Sequence, residues 1–160
     1  MTNPDPASTP RRRVLRFRVA GYFRELSSDD SGEPSRVDTP SIVEARGKLS
    51  EAHRIRAAPY LGGGRVFVVS SGFENDWFRG TQHIAERISR TDGSWIWPDS
   101  LAHYVAIHRV ALPEEFLQHM QSHQWACPFL TDEEMSAFGD VVSEDLRNLQ
   151  KLRRRHRRPV

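Results

Sequence analysis

Seven residues, Asp92-Gly93-Ser94-Trp95-Ile96-Trp97-Pro98, hold half of the chain's four tryptophans and constrain its fold more than any other stretch. Asp-Gly favours a tight turn because glycine tolerates a positive φ. A strand therefore starts directly after it, with Trp95 and Trp97 on one face and Ile96 on the other. Pro98 suits the first turn of a following helix, where its missing N–H costs nothing. One heptapeptide thus marks a turn, an aromatic strand face and the handover from sheet to helix.

The flanking sequence extends this layout in both directions. Residues 1–13, rich in Pro, Ser, Thr and Arg, read as a disordered tail. Leu15, Phe17 and Val19 alternate with Arg16 and Arg18, which predicts a half-buried antiparallel strand within 14–23. Ser27 to Pro34 is a loop by composition. Ile42, Ala45, Leu49, Ala52 and Ile55 recur at helical spacing, a pattern that Gly47 weakens without ending and that Pro59 and Gly62-Gly63-Gly64 terminate. Val66 to Ser70 is an apolar β-run and the candidate central strand.

Residues 72–83 read as an irregular segment with Phe73, Trp77 and Phe78 as anchors, and 87–90 as a weak strand or short helix. Leu101, Tyr104, Val105 and His108 share a helical face. Pro113 opens a further helix, with Glu114 and Glu115 near its positive end. Thr131-Asp132-Glu133-Glu134 is a capping box. The helix behind it runs to about residue 155 with a stripe of Met135, Phe138, Val142, Leu146, Leu149 and Leu152. The fold class is therefore α+β, a small antiparallel sheet followed by a helical C-terminal half. A single globular domain over 14–150 lies between a basic N-terminal tail, 1–13, and a basic C-terminal tail, 151–160.

Charge divides along the same boundaries. The first 27 residues carry a net +4, residues 147–160 carry +7, and residues 28–146 carry −9. An acidic body with basic ends steers different partners to its different parts. No apolar run approaches the roughly 18 residues of a membrane span, and the first residues lack the apolar stretch of a secretory signal. The single Cys127 excludes an internal disulfide and suits a reducing compartment. A cytoplasmic protein without membrane contact is the expectation.

Tests for chemistry exclude more than they find. Ser70 and Ser71 lack the Gly-x-Ser-x-Gly elbow of hydrolases, and the triple glycine lacks the Gly-Lys-Ser/Thr ending of a phosphate loop. Adjacent Glu114/Glu115 and Glu133/Glu134 do not face each other as an acid–base pair would. His119 and His123 lie one helical turn apart with Cys127 four residues on, but no fourth ligand accompanies them, so neither a metal nor a cofactor is expected. Cys127 lacks a positioned base and reads as packing. No catalytic residue is assigned.

Two binding surfaces remain. Acidic residues beside aromatic anchors suit a basic protein partner, with Trp77, Glu74, Asp76, Trp95 and Trp97 as candidate contacts. Asp29, Asp30, Glu33 and the 132–134 cluster supply further acidity. The alternative is weak, nonspecific nucleic-acid binding through Lys151, Arg153, Arg154, Arg155, Arg157 and Arg158. For the two tryptophans of the heptapeptide, packing against Tyr104 and Phe116 competes with a role as ligand platform.

Thr91-Asp92-Gly93-x-Trp95-x-Trp97-Pro98, then Leu101, Tyr104-Val105 and Leu112-Pro113-x-Glu115-Phe116, resembles small uncharacterised actinobacterial proteins, some similar to the immunity proteins of toxin systems. The resemblance covers about residues 60–120 and rests on structural residues. It implies a non-enzymatic single-domain protein, an immunity or antitoxin-like factor that masks a partner protein. It carries no catalytic residue across.

Overall fold

The turn at Asp92–Ser94 joins two antiparallel strands, β3 (Ala85–Thr91) and β4 (Trp95–Pro98). Asp92 Oδ1 accepts the backbone N–H groups of Ser94 and Trp95 at 2.9 and 2.8 Å, and Gly93 takes φ +90°. The computed structural model of the chain describes residues 15–27 and 39–156. The expected N-terminal tail, the acidic loop residues Asp29, Asp30 and Glu33, and the tail residues Arg157 and Arg158 lie outside the described residues.

Two further strands complete a four-stranded mixed sheet in the order β1-β4-β3-β2, with β1 at Arg18–Val19 and β2 at Arg65–Glu74. Two expectations change here. The N-terminal strand is only two residues long and runs parallel to β4, and Gly21, at φ +79°, turns the chain just beyond it. A Cβ at Gly21 would also collide with the Leu101 side chain, so the position favours glycine twice over. The Val66–Ser70 run belongs to an edge strand and not to the central one; the shorter, fully buried β4 lies inside the sheet.

The expected helix from Ser41 divides into α1 (Ile42–Ala45) and α2 (Glu51–Gly62). Gly47 takes φ +74°, which a continuing helix cannot contain. The freed backbone bonds elsewhere: Gly47 N–H donates to His108 O and Leu49 N–H to Arg109 O, both at 3.0 Å. Ser50 then caps α2, which continues through Pro59. Pro98 ends β4 and does not open a helix; α3 (Leu101–His108) starts behind Ser100. Pro113 sits at the N-cap of α4 (Glu114–Ser122) rather than at its first position.

The capping box forms as the sequence requires. Thr131 N–H donates to Glu134 Oε2 at 2.8 Å and Glu134 N–H to Thr131 Oγ1 at 3.2 Å, opening α5 (Asp132–His156).

These elements make an α+β fold in which the sheet is covered on both faces. Trp95 and Trp97 enter the larger core together with Tyr60, Leu61, Tyr104 and Phe116 from α2, α3 and α4. Ile96 enters a smaller core with Phe17, Phe138 and Val142, which places α5 on the opposite face. Trp95 stacks on Phe116 at 4.4 Å between ring centroids, and Trp97, fully buried, donates its indole N–H to Leu61 O at 3.1 Å. Complete burial of such a ring contributes on the order of 2–3 kcal/mol. The α5 stripe is only half used, because Phe138 and Val142 are buried whereas Leu146 and Leu152 face solvent. Among the described residues no helix is long and apolar enough to cross a membrane.

Candidate functional site

Strand β2 lies at the open edge of the sheet, and its apolar residues are unusually exposed. Val66, Val68, Val69 and Phe73 are between 41% and 72% accessible, and Trp77 just beyond the strand is 52% accessible. Two irregularities interrupt the pairing with β3, between Val66 and Val68 and between Val69 and Phe73, where Gly72 takes φ +105°. Bulges of this kind twist an edge away from indiscriminate strand pairing. Glu86 stands opposite Phe73 in the register, and Phe73 stacks on the His83 ring at 4.2 Å.

The segment that carries Trp77 is pinned from beneath by Asp76. Its Oδ1 accepts the N–H groups of Phe78 and Arg79 at 2.8 and 3.0 Å, the local turn that aspartate favours. Gly80 N–H closes the turn on Asp76 O at 2.8 Å. Oδ2 meets two imidazoles from α3, His108 Nε2 at 2.6 Å and His103 Nε2 at 2.7 Å. Tyr104 adds a second attachment, accepting Trp77 N–H at 3.0 Å and donating to Asn75 O at 3.2 Å. Burial by itself would raise the Asp76 carboxyl, but hydrogen bonds from His103, His108 and the two backbone N–H groups outweigh it. The group is therefore held well below the usual carboxylate range.

A second aspartate repeats the arrangement in the hairpin. While Asp92 Oδ1 holds the turn, its Oδ2 accepts Tyr60 O–H at 2.7 Å and contacts His119 Nε2 at 2.9 Å. His119 lines a groove of about 280 Å³ with Arg16, Arg18, Trp95 and Glu115. Arg18 bridges that groove, pairing with Glu115 at 2.7 Å and lying 5.7 Å from the Trp95 ring centroid. His123 contacts His119 O through Nδ1 at 2.9 Å. Burial pushes the nearby Cys127 thiol up to about 11, the opposite of an activated nucleophile.

The structure redistributes the residues singled out from sequence. Trp77 is exposed and Glu74 half-buried, both at the β2 edge. Trp95 and Trp97 are corrected from candidate contacts to core residues, at 5% and 0% exposure, because the hairpin turns their common face onto α4. Asp76 is likewise a buried anchor and not a surface acid. Lys151, Arg153, Arg154 and Arg155 are exposed on the last turns of α5. His103 escaped sequence reasoning and His108 was read only as part of a helical face; the one signal for the pair was two histidines five apart on one short helix. Comparison of the chain with family models, curated proteins and solved structures found no match.

Proposed function

We propose that this protein is a non-enzymatic binding protein of the cytoplasm that masks a basic partner protein, in the manner of an immunity or antitoxin-like factor. The observation that carries this reading is the cluster of Val66, Val68, Val69, Phe73 and Trp77. Five large apolar side chains lie within twelve residues of one edge, each 41% or more exposed. Scattered apolar exposure is ordinary, whereas several large apolar side chains exposed along one short stretch, two of them aromatic, suit an interface. The partner's charge follows from the −9 net charge over 28–146, with Glu74 and Glu86 beside Phe73.

The test is co-expression with the product of the adjacent reading frame, followed by size-exclusion chromatography with light scattering. A 1:1 complex is expected for the wild type. A Val69→Asp/Phe73→Ser/Trp77→Ser variant, confirmed as folded by circular dichroism, should weaken the complex at least a hundredfold. A complex that forms equally well with that variant refutes the assignment of this edge. Exposure of Lys151, Arg153, Arg154 and Arg155 supports the second reading, nonspecific nucleic-acid binding through the C-terminal tail.

A further inference from the structure

The Asp76–His103–His108 cluster has the makings of more than a hydrogen-bonded clasp. One donor atom from each residue lies within 4.8 Å of the others. Both imidazoles present the same atom, Nε2, to the same carboxylate oxygen. The other oxygen is already fixed by two backbone N–H groups, the outer support that aligns a ligating carboxylate. We propose that these three side chains form a binding site for a divalent transition-metal ion of the zinc type. The proposal does not depend on the partner-masking reading.

Geometry, charge and donor chemistry converge on it. In a tetrahedral site with bonds near 2.0–2.1 Å, neighbouring donor atoms stand about 3.3 Å apart. The observed 2.6 and 2.7 Å separations are shorter than that, so an entering ion would spread the three donor atoms apart by about 0.6–0.7 Å. The Asp76 carboxylate is fully buried, and its ion-pair partners among the described residues are these two histidines alone. Buried charge calls for a counter-charge, and a divalent cation held by all three side chains supplies one. Two imidazoles with one carboxylate suit zinc, cobalt or iron(II) and disfavour magnesium or calcium, which take oxygen ligands.

The elements present the ligands from two independent segments. His103 and His108 come from α3, which ends at His108 because Arg109 adopts φ +49°. Asp76 comes from the loop behind β2. An ion there would fasten that loop, and Trp77 with it, to the helical layer. Three protein ligands leave a fourth position for water, on the side where the His103 side chain is 24% exposed.

The test uses the full chain, stripped with a chelator and then titrated with zinc or cobalt(II) at neutral pH. One equivalent should survive desalting, and the cobalt form should show the visible absorption of a four-coordinate site. His103→Gln, which retains a hydrogen-bonding group on a partly exposed side chain, and Asp76→Asn should each weaken binding at least a hundredfold. His119→Ala and Cys127→Ser should bind as the wild type does. Failure of the wild-type chain to retain equimolar zinc overturns the proposal without recourse to any variant. So does retention of the metal by His103→Gln, or its loss in Cys127→Ser, which would place the ion elsewhere.

Discussion

Gly64→Ala tests whether the triple glycine exists for packing or merely for a turn. A Cβ at Gly64 would overlap Cζ2 of Trp97, lie 2.9 Å from Cη2 and stand 3.1 Å from Arg90 Cβ. Trp97 cannot swing aside cheaply, because it is fully buried, bonded to Leu61 O and packed against Tyr60 and Phe116. Overpacking costs about 1–3 kcal/mol, and a weakened indole hydrogen bond costs about 1 more. The lower unfolded-state entropy of alanine returns about 0.4–1 kcal/mol. The net expectation is a loss of about 2 kcal/mol, or roughly 4–8 °C in Tm for a chain this size. Gly62→Ala is the internal reference, since nothing lies within 4 Å of its Cβ position. Guanidinium unfolding followed by tryptophan fluorescence compares the two at equal m. If Gly64→Ala falls within about 0.5 kcal/mol of Gly62→Ala, the contact does not constrain the core.

Four further outcomes follow from the same contacts. Phe116→Ala should cost about 3–5 kcal/mol and remove the near-ultraviolet dichroism of the Trp95 stack, read by calorimetry and spectroscopy. Asp76 ionises below its ordinary value of 3.8 in the folded chain, so its contribution is complete above about pH 4 and is lost as pH falls further; Asp76→Asn should flatten that acid limb in unfolding curves taken from pH 5 to 2. With its thiol near 11 against an ordinary 9.0, Cys127 should alkylate about a hundredfold more slowly at pH 8 in the folded protein than after denaturation, as mass spectrometry of timed samples would show. Removing residues 151–160 should flatten the salt dependence of any duplex binding measured by fluorescence anisotropy, and an unchanged slope would exclude the tail as the contact.

The sequence made the heptapeptide legible because its signals are local. A turn residue pair, a period of two and large aromatic side chains all act within seven positions, and Trp95, Ile96 and Trp97 face as that period requires. The capping box at Thr131 was legible for the same reason. Strand position in the sheet was not. Val66 to Val69 has the composition of a central strand, yet its place at the edge depends on which strands pair, a long-range matter that periodicity does not encode. Gly47 shows the same limit in a helix: its propensity cost of about 1 kcal/mol was legible, but not the receiving carbonyls of His108 and Arg109 that make a break favourable.

Asp76 and Asp92 expose the deeper reason the candidate site stayed hidden. Each aspartate uses one oxygen to bind two N–H groups two and three residues ahead, and that half of its role is written in the local sequence. Each then turns its other oxygen toward the helices packed on the sheet, where Asp92 meets Tyr60 and His119 and Asp76 meets His103 and His108. The partners lie 27 to 32 residues away in sequence, so only the folded chain brings them together. The two hubs nevertheless differ in what they can do. A tyrosine hydroxyl neutralises part of the Asp92 charge by donating a proton it does not release, since burial and the adjacent carboxylate raise Tyr60 far above its ordinary range. Asp76 is met instead by two imidazole nitrogens beside its two backbone N–H groups, and imidazole is a common metal ligand. One turn chemistry therefore yields a structural clasp in the hairpin and a ligand set behind β2. The second partner of each carboxylate decides between them.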